Sequence, residues 1–244
     1  MSKVVLMYHD IVTANNRSSG FQNPSALQYK VDENDFELHV KSCTPDKVIF
    51  SFDDGGSSFF TKAIPILEKY GHKGIFFIST NYIDTPGFLT SDQIKCIEDK
   101  GHIVGSHSCS HPHNMTELSE DEISNEWVYS ISKLEKILGH KIEYASIPNG
   151  YSSLAVINRA KEAGIKYLYT SSPTDNIRDK GGMKLIGRYV VHNKMLLNVV
   201  VTIVDSSLCR RVKYFKWISL EIVKKILGNR YDNLKSLITS RLQK

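Results

Sequence analysis

Apolar positions along this chain follow two alternating rhythms, short unbroken runs and longer segments with helical spacing. Runs such as Val4–Met7, Val48–Phe52 and Ile75–Ile78 predict strands covered on both faces. The helical segments each stop at a glycine: Ser57–Tyr70 at Gly71, Ser91–Lys100 at Gly101, Glu120–Leu138 at Gly139 and Ser153–Ala163 at Gly164. A β-rich run follows each stop, at Gly74–Ile78, His102–Val104, Ile142–Ile147 and Ile165–Tyr169. Glycine just past a helix supplies the left-handed residue that ends it. Thr90 with Gln93, and Ser119 with Glu122, have the spacing of capping boxes.

Helix alternating with strand predicts a parallel sheet. About six or seven strands are legible, close to a barrel but short of the eightfold form. The expected fold is α/β, a distorted (β/α) barrel, with an open doubly wound sheet as second choice. Leu208–Lys244 departs from this grammar with two amphipathic helical patterns, Phe215–Leu227 and Tyr231–Leu242, separated by Gly228-Asn229. The chain is therefore expected to divide into a barrel domain, residues 1–205, and a basic helical appendage packed on it, residues 206–244. Such an appendage either covers the barrel or offers a basic surface to a membrane or partner.

Composition narrows the class. With 41% hydrophobic and 23% charged residues among 244, the composition is that of an ordinary globular chain able to bury a sizeable core, and a folded chain is expected rather than a disordered one. A formal charge of +5 suits an anionic partner such as a nucleotide-linked sugar, a lipid phosphate or an acidic membrane, and equally a mildly basic enzyme. No nucleic-acid-binding motif accompanies it. Cys43, Cys96, Cys109 and Cys209 are widely separated, which predicts a reduced, cytosolic protein. The first apolar run is too short for a signal peptide, and no run of about 18 apolar residues occurs, so a cytoplasmic location is expected.

The repeat also sorts the nine histidines. His72, His102 and His140 directly follow helix-ending glycines, at the start of strands, which is the structural end of a parallel α/β fold. His39, in the helical pattern Glu33–Ser42, is expected at the surface. His9, His107, His111, His113 and His192 remain, all after strand-like runs.

Two constellations carry candidate chemistry. Phe50-Ser51-Phe52-Asp53-Asp54-Gly55-Gly56 runs a strand into two adjacent carboxylates and a glycine turn. Burying two acids costs free energy unless a cation compensates them, and a metal ion does so. Neighbouring acids can then divide the work, one as ligand and one as base. The same residues also suit a surface turn. Gly105–His113 places His107 and His111 at i and i+4 after the strand at Ile103-Val104, where the rings converge on one ion if the segment is tightly turned. With a carboxylate from the first constellation this makes an open site of two imidazoles and one acid, a set that suits zinc. Cys109, and His113 beyond Pro112, are expected to stay outside it.

These residues resemble a known family. Ser51-Phe52-Asp53-Asp54-Gly55 resembles the (T/S)FDDG signature of the polysaccharide deacetylases, the NodB-homology carbohydrate esterases. His107-Ser108-Cys109-Ser110-His111-Pro112 resembles their H-(S/T)-x-x-H motif, and Ile147-Pro148-Asn149-Gly150 their R-x-P-x-G motif. The resemblance spans roughly Val4 to Asn193 and implies a distorted (β/α)7 barrel of NodB type with the C-terminal helices appended. It implies that Asp54, His107 and His111 bind one divalent metal ion, that Asp53 is the general base, and that a backbone N–H near Asn149 steadies the oxyanion. The implied activity is hydrolysis of the N-acetyl group of a sugar in a polysaccharide or its nucleotide- or lipid-linked precursor.

Two departures from the family pattern follow. Ser146 stands where the family places the arginine that holds the catalytic aspartate, and Arg188 is the expected substitute. The late Leu-x-His acid is represented by Val190-Val191-His192, whereas Tyr8-His9-Asp10 resembles the start of the permuted biofilm and surface-glycan deacetylases. His9 is the preferred acid. Adjacent side chains on a strand oppose one another, so Asp10 should turn away from His9 to other groups. Two rival functions remain, an amidase acting on a non-sugar C–N bond and a non-catalytic glycan-binding relic. Val12–Tyr29, with Arg17, Phe21 and Gln22, is a candidate substrate loop or a plain connector.

Overall fold

The structure is a computed structural model that describes residues 3–14 and 17–227. It opens with β1 (Val4–Tyr8), followed by the short strands β2 (Ile11–Val12) and β3 (Val31–Asp32), which flank the single turn α1 (Pro24–Leu27). Helix α2 (Glu33–Lys41) leads to β4 (Val48–Phe52), α3 (Ile64–Lys69) to β5 (Gly74–Ile78), and α4 (Ser91–Asp99) to β6 (Ile103–Ser106). Then come α5 (Glu120–Leu138), β7 (Tyr144–Ser146), α6 (Leu154–Glu162) and β8 (Tyr167–Tyr169). The chain continues through β9 (Arg178–Lys180), β10 (Met183–Ile186), β11 (Tyr189–Val190), α7 (Leu197–Asp205) and α8 (Ser207–Leu227).

One sheet holds nine strands in the order β11-β1-β4-β5-β6-β7-β8-β10-β9, parallel throughout except for the hairpin partner β9. Only Gly187 and Arg188 separate β10, near one end of this order, from β11 at the other. The sheet must therefore curl until its ends nearly meet, and a covalent link rather than a ladder of hydrogen bonds spans the seam. This is the distorted barrel. The stretch Ile186–Val191 is broken at the seam, because β10 pairs with β8 while β11 pairs with β1.

The expected helices form with local adjustments. Both capping boxes close, at Thr90/Gln93 and Ser119/Glu122. Gly139 ends α5 in the left-handed conformation, φ 80°, with open space where a Cβ would stand. The pattern Ser57–Tyr70 is α-helical only from Ile64; before it, Phe59–Ala63 forms a widened π turn in which the Ile64 N–H reaches Phe59 O. Pro65 has no N–H to give to the i−4 carbonyl, which is a local reason for the irregular register. The α8 helix is continuous from Ser207, eight residues earlier than the expected start at Phe215. The other expected appendage helix, Tyr231–Leu242, lies outside the described residues.

Period-two alternation divides the core into two layers. One face of the strands (Leu6 and Tyr8, Phe50 and Phe52, Phe76 and Ile78) packs under the helices with Trp127, Leu134 and Val156. The other face fills the lumen with Val5, Ile75, Phe77, Tyr169 and Ile186, against which Ile49, Ile103 and Tyr144 pack. Gly105 is required here, because a Cβ would lie 2.8 Å from the Phe77 ring and 2.7 Å from Tyr144 O.

One histidine departs from expectation. His39 is buried, not at the surface: its Nδ1 lies 3.1 Å from the Tyr8 hydroxyl. A helical pattern shows that a face exists, but the position of His39 on that face, over β1, depends on how α2 docks. His72 and His102 serve structure, His72 against Cys43 O and His102 accepting the Gly74 N–H.

Candidate functional site

Stepping two residues on from the last lumen-facing position of each strand places the chemistry. Ile49 and Ser51 lead to Asp53, Met7 to His9, Ile103 and Gly105 to His107, Tyr144 to Ser146, Tyr169 to Ser171, and Ile186 to Arg188. These side chains gather at the C-terminal mouth, where a cavity of about 350 Å³ is lined by His9, Asp53, Asp54, His107, His111 and Asn149, among others. Asp54 would point to the opposite face if the strand continued. It instead adopts φ 87°, so both adjacent carboxylates reach the same cavity.

Such backbone recurs around the mouth. Of five non-glycine residues with positive φ among those described, Asp54, Ser108, His111 and Asn149 line the cavity or its histidine loop; Asp84 is the fifth. Each costs about 1–3 kcal/mol and persists only where surrounding contacts enforce it. In the histidine loop the enforcing group is Glu126 on α5, which accepts the backbone N–H groups of Cys109 and Ser110, both at 2.9 Å, and the Ser110 hydroxyl at 2.6 Å. The segment is thus a clamped turn rather than a helix. Nothing in the sequence singled out Glu126, because it is one of many acids on an amphipathic helix.

Asp53 and Arg188 form a buried, two-pronged pair: Nη1 to Oδ1 at 2.6 Å and Nη2 to Oδ2 at 2.7 Å. Arg188 is fully buried, donates from Nε to Thr170 O and lies over the rings of Phe77 and Tyr169. Burial opposes ionisation of Asp53, but the Arg188 guanidinium, and then the His107 ring, hold its carboxyl below the ordinary range. Ser146, at the sequence position where the family pattern has arginine, donates its hydroxyl to Asp53 Oδ1 at 3.2 Å. Its carbonyl, which can only accept, lies 3.1 Å from His107 Nδ1. Nδ1 therefore carries the hydrogen, leaving the Nε2 lone pair for a cation.

Asp54 Oδ1 lies 3.4 Å from His107 Nε2 and 3.2 Å from His111 Nε2, and one donor atom from each of the three falls within 4.8 Å of the others. Burial disfavours charge on Asp54 as well, yet the neighbouring His107 and His111 imidazoles hold its carboxyl well below the usual value. One arginine balances one of the two buried carboxylates; the second has only imidazoles. This donor set of two imidazoles and a carboxylate fits a divalent cation. Cys109 stands apart, its Sγ against Asn81, and His113 faces Tyr151 at 5.8 Å between ring centroids.

The two acid candidates part company. His9 lines the cavity, its ring 4.7 Å from that of Tyr29, and its buried Nδ1 has no hydrogen-bond partner among the described residues. His192 is exposed beyond β11 and is not among the residues lining the cavity. Asn149, φ 54°, lines the wall and donates its side-chain amide to Pro112 O, tying two loops of the mouth together.

Phe21 from the 12–29 loop reaches the cavity, joined by Asn23, Ser25 and Tyr29, which the sequence did not distinguish; Arg17 and Gln22 are not among the lining residues. The loop is pinned from below. Asp10 turns away from His9 and accepts the Ser19 and Ser58 hydroxyls, while buried Lys30 donates to Ser19 O and Arg17 O.

Known proteins share its sequence and its fold. Residues 41–168 match the sequence model of the polysaccharide deacetylases. A putative polysaccharide deacetylase of Bacillus subtilis, YxkH, is 24% identical over 72% of this chain and 67% of its own length. The peptidoglycan-N-acetylmuramic acid deacetylase PdaA of the same organism is 31% identical over 52% of this chain and 48% of its own. The chain spans only about half the length of several curated relatives it matches. Among solved structures, the Streptococcus pyogenes deacetylase PplD, in complex with acetate, superposes with a TM-score of 0.67 at 19% identity, covering 84% of this chain and 99% of that one. IcaB from Ammonifex degensii gives 0.65 at 18%, covering 84% and 97%. From a family match over more than half its residues, and a fold shared along most of its length, this chain belongs to the polysaccharide deacetylase family.

Proposed function

We propose that the protein hydrolyses the N-acetyl group of an N-acetylated sugar, within a polysaccharide or its nucleotide- or lipid-linked precursor. The observation that carries this reading is the placement of an arginine-held carboxylate, Asp53, beside the Asp54–His107–His111 trio in one cavity, with His9 on the same wall. A cytoplasmic acceptor belongs to the same proposal, supported by four free cysteines.

Asp54, His107 and His111 would hold the divalent ion, whose chemistry is to polarise an amide carbonyl and acidify water. Asp53, kept ionised by Arg188, takes a proton from the attacking water as oxygen bonds to the acetyl carbon. Negative charge then collects on the former carbonyl oxygen, where a backbone N–H near Asn149 can donate to it. His9 gives its proton to the sugar nitrogen as the C–N bond breaks, so acetate and free amine leave.

Acetate release from N-acetylated oligosaccharides, measured with and without a chelator, tests the reading. Release that the chelator abolishes is expected. Cleavage confined to non-sugar amides would favour the amidase alternative, and glycan binding without any release would favour a relic. His9→Ala should lower turnover about 10²-fold, the lower end for an acid catalyst because cavity water can also deliver the proton. His192→Ala should change little. A large loss in the second variant alone would transfer the acid role to His192.

A further inference from the structure

Helix α8 turns its apolar side outward. Leu208, Val212, Phe215 and Ile222 recur at steps of four and three, with Ser219 completing the stripe, and the four apolar side chains are 70%, 45%, 66% and 51% exposed. Leu220 beside them is 50% exposed. The opposite side is the one attached to the body: Arg210 donates to Asp175 and to the carbonyls of Ile203 and Val204, and Cys209 packs against the main core. An amphipathic helix on a soluble domain ordinarily buries its stripe, so an outward stripe marks an interaction surface.

The charge around it names the partner. Residues 207–244 contain ten Lys/Arg and two Asp/Glu, an excess of +8, while the whole chain carries +5; residues 1–206 therefore carry −3. Exposed Arg211 and Lys216 flank the stripe on its two sides, and Tyr214 stacks on Trp217 with centroids 6.1 Å apart. Residues 228–244 hold four Lys/Arg and one Asp, so that segment, like a second copy of the helix, would bring like charge against like. An anionic surface with an apolar interior satisfies stripe and cations together. Among the described residues no helix is long and apolar enough to cross a membrane, so the fitting geometry is lying on one.

We infer that α8 docks the enzyme on an anionic phospholipid bilayer, its Leu208–Val212–Phe215–Ile222 stripe in the interface and Arg211 and Lys216 at the headgroups. Binding of this kind is independent of the deacetylase reading and is measured without turnover. Co-sedimentation of the full chain with phosphatidylcholine vesicles, with and without phosphatidylglycerol, reads it directly. Partitioning should be at least about tenfold greater on the anionic vesicles and should weaken as salt rises. Phe215→Glu with Ile222→Glu should abolish it, and Arg211→Gln with Lys216→Gln should reduce it, while hydrolysis of a soluble substrate stays unchanged.

Three results would overturn the inference. One is equal partitioning on neutral and anionic vesicles, or none on either. Another is a lipid-free dimer that Phe215→Glu dissociates, which would assign the stripe to a second copy. The third is a lowered thermal midpoint of Phe215→Glu without lipid, which would mean that residues 228–244 already cover it.

Discussion

Asp53→Asn is expected to abolish acetate release, by about 10³-fold or more, while the protein still binds one divalent ion per chain. The magnitude is the upper part of what a positioned base supplies. The amide keeps the shape of the carboxylate but cannot take a proton from water. It also strips Arg188 of its only carboxylate partner among the described residues, and breaking one side of a buried pair costs about 3–5 kcal/mol. Denaturant unfolding should therefore show a less stable variant, and activity must be normalised to the folded fraction. A folded Asn variant with near wild-type turnover would show that Asp53 only anchors Arg188 and that another group is the base.

His107→Ala should remove the metal. The residue supplies one of three donor atoms, and its ring is already oriented by Ser146, so no neighbour can replace it without moving. The expected result is metal content falling from about one equivalent to a small fraction after dialysis, with acetate release lost in parallel. A second effect distinguishes ligand loss from general damage. His107 also helps to hold Asp53 and Asp54 ionised, yet the Arg188 pair remains, so the fold should survive with a cooperative melt. One tightly bound ion in the purified variant would overturn the assignment and point to a different ligand set.

Much of this was legible in the residues alone. Alternating apolar runs and glycine stops specified strands and helices, and their order specified a parallel, curled sheet. Asp53 falls two residues beyond Ser51 on the lumen face, and His107 two beyond Gly105, so period two already sent both toward the same mouth. The motif residues stood out because paired acids and spaced imidazoles are costly to bury without a cation.

Tertiary structure decided the rest. Arg188 meets Asp53 across 135 positions of sequence because the sheet curls until β10 and β11 share a seam. Curvature depends on how lumen side chains such as Phe77 fit against Gly105, a contact between strands that no local pattern contains. Asp54 joins Asp53 only through its left-handed backbone, which the sequence allows but does not require. His39 is buried, and the α8 stripe exposed, for the same reason. Periodicity fixes which residues share a face; what that face meets is set by how whole elements dock.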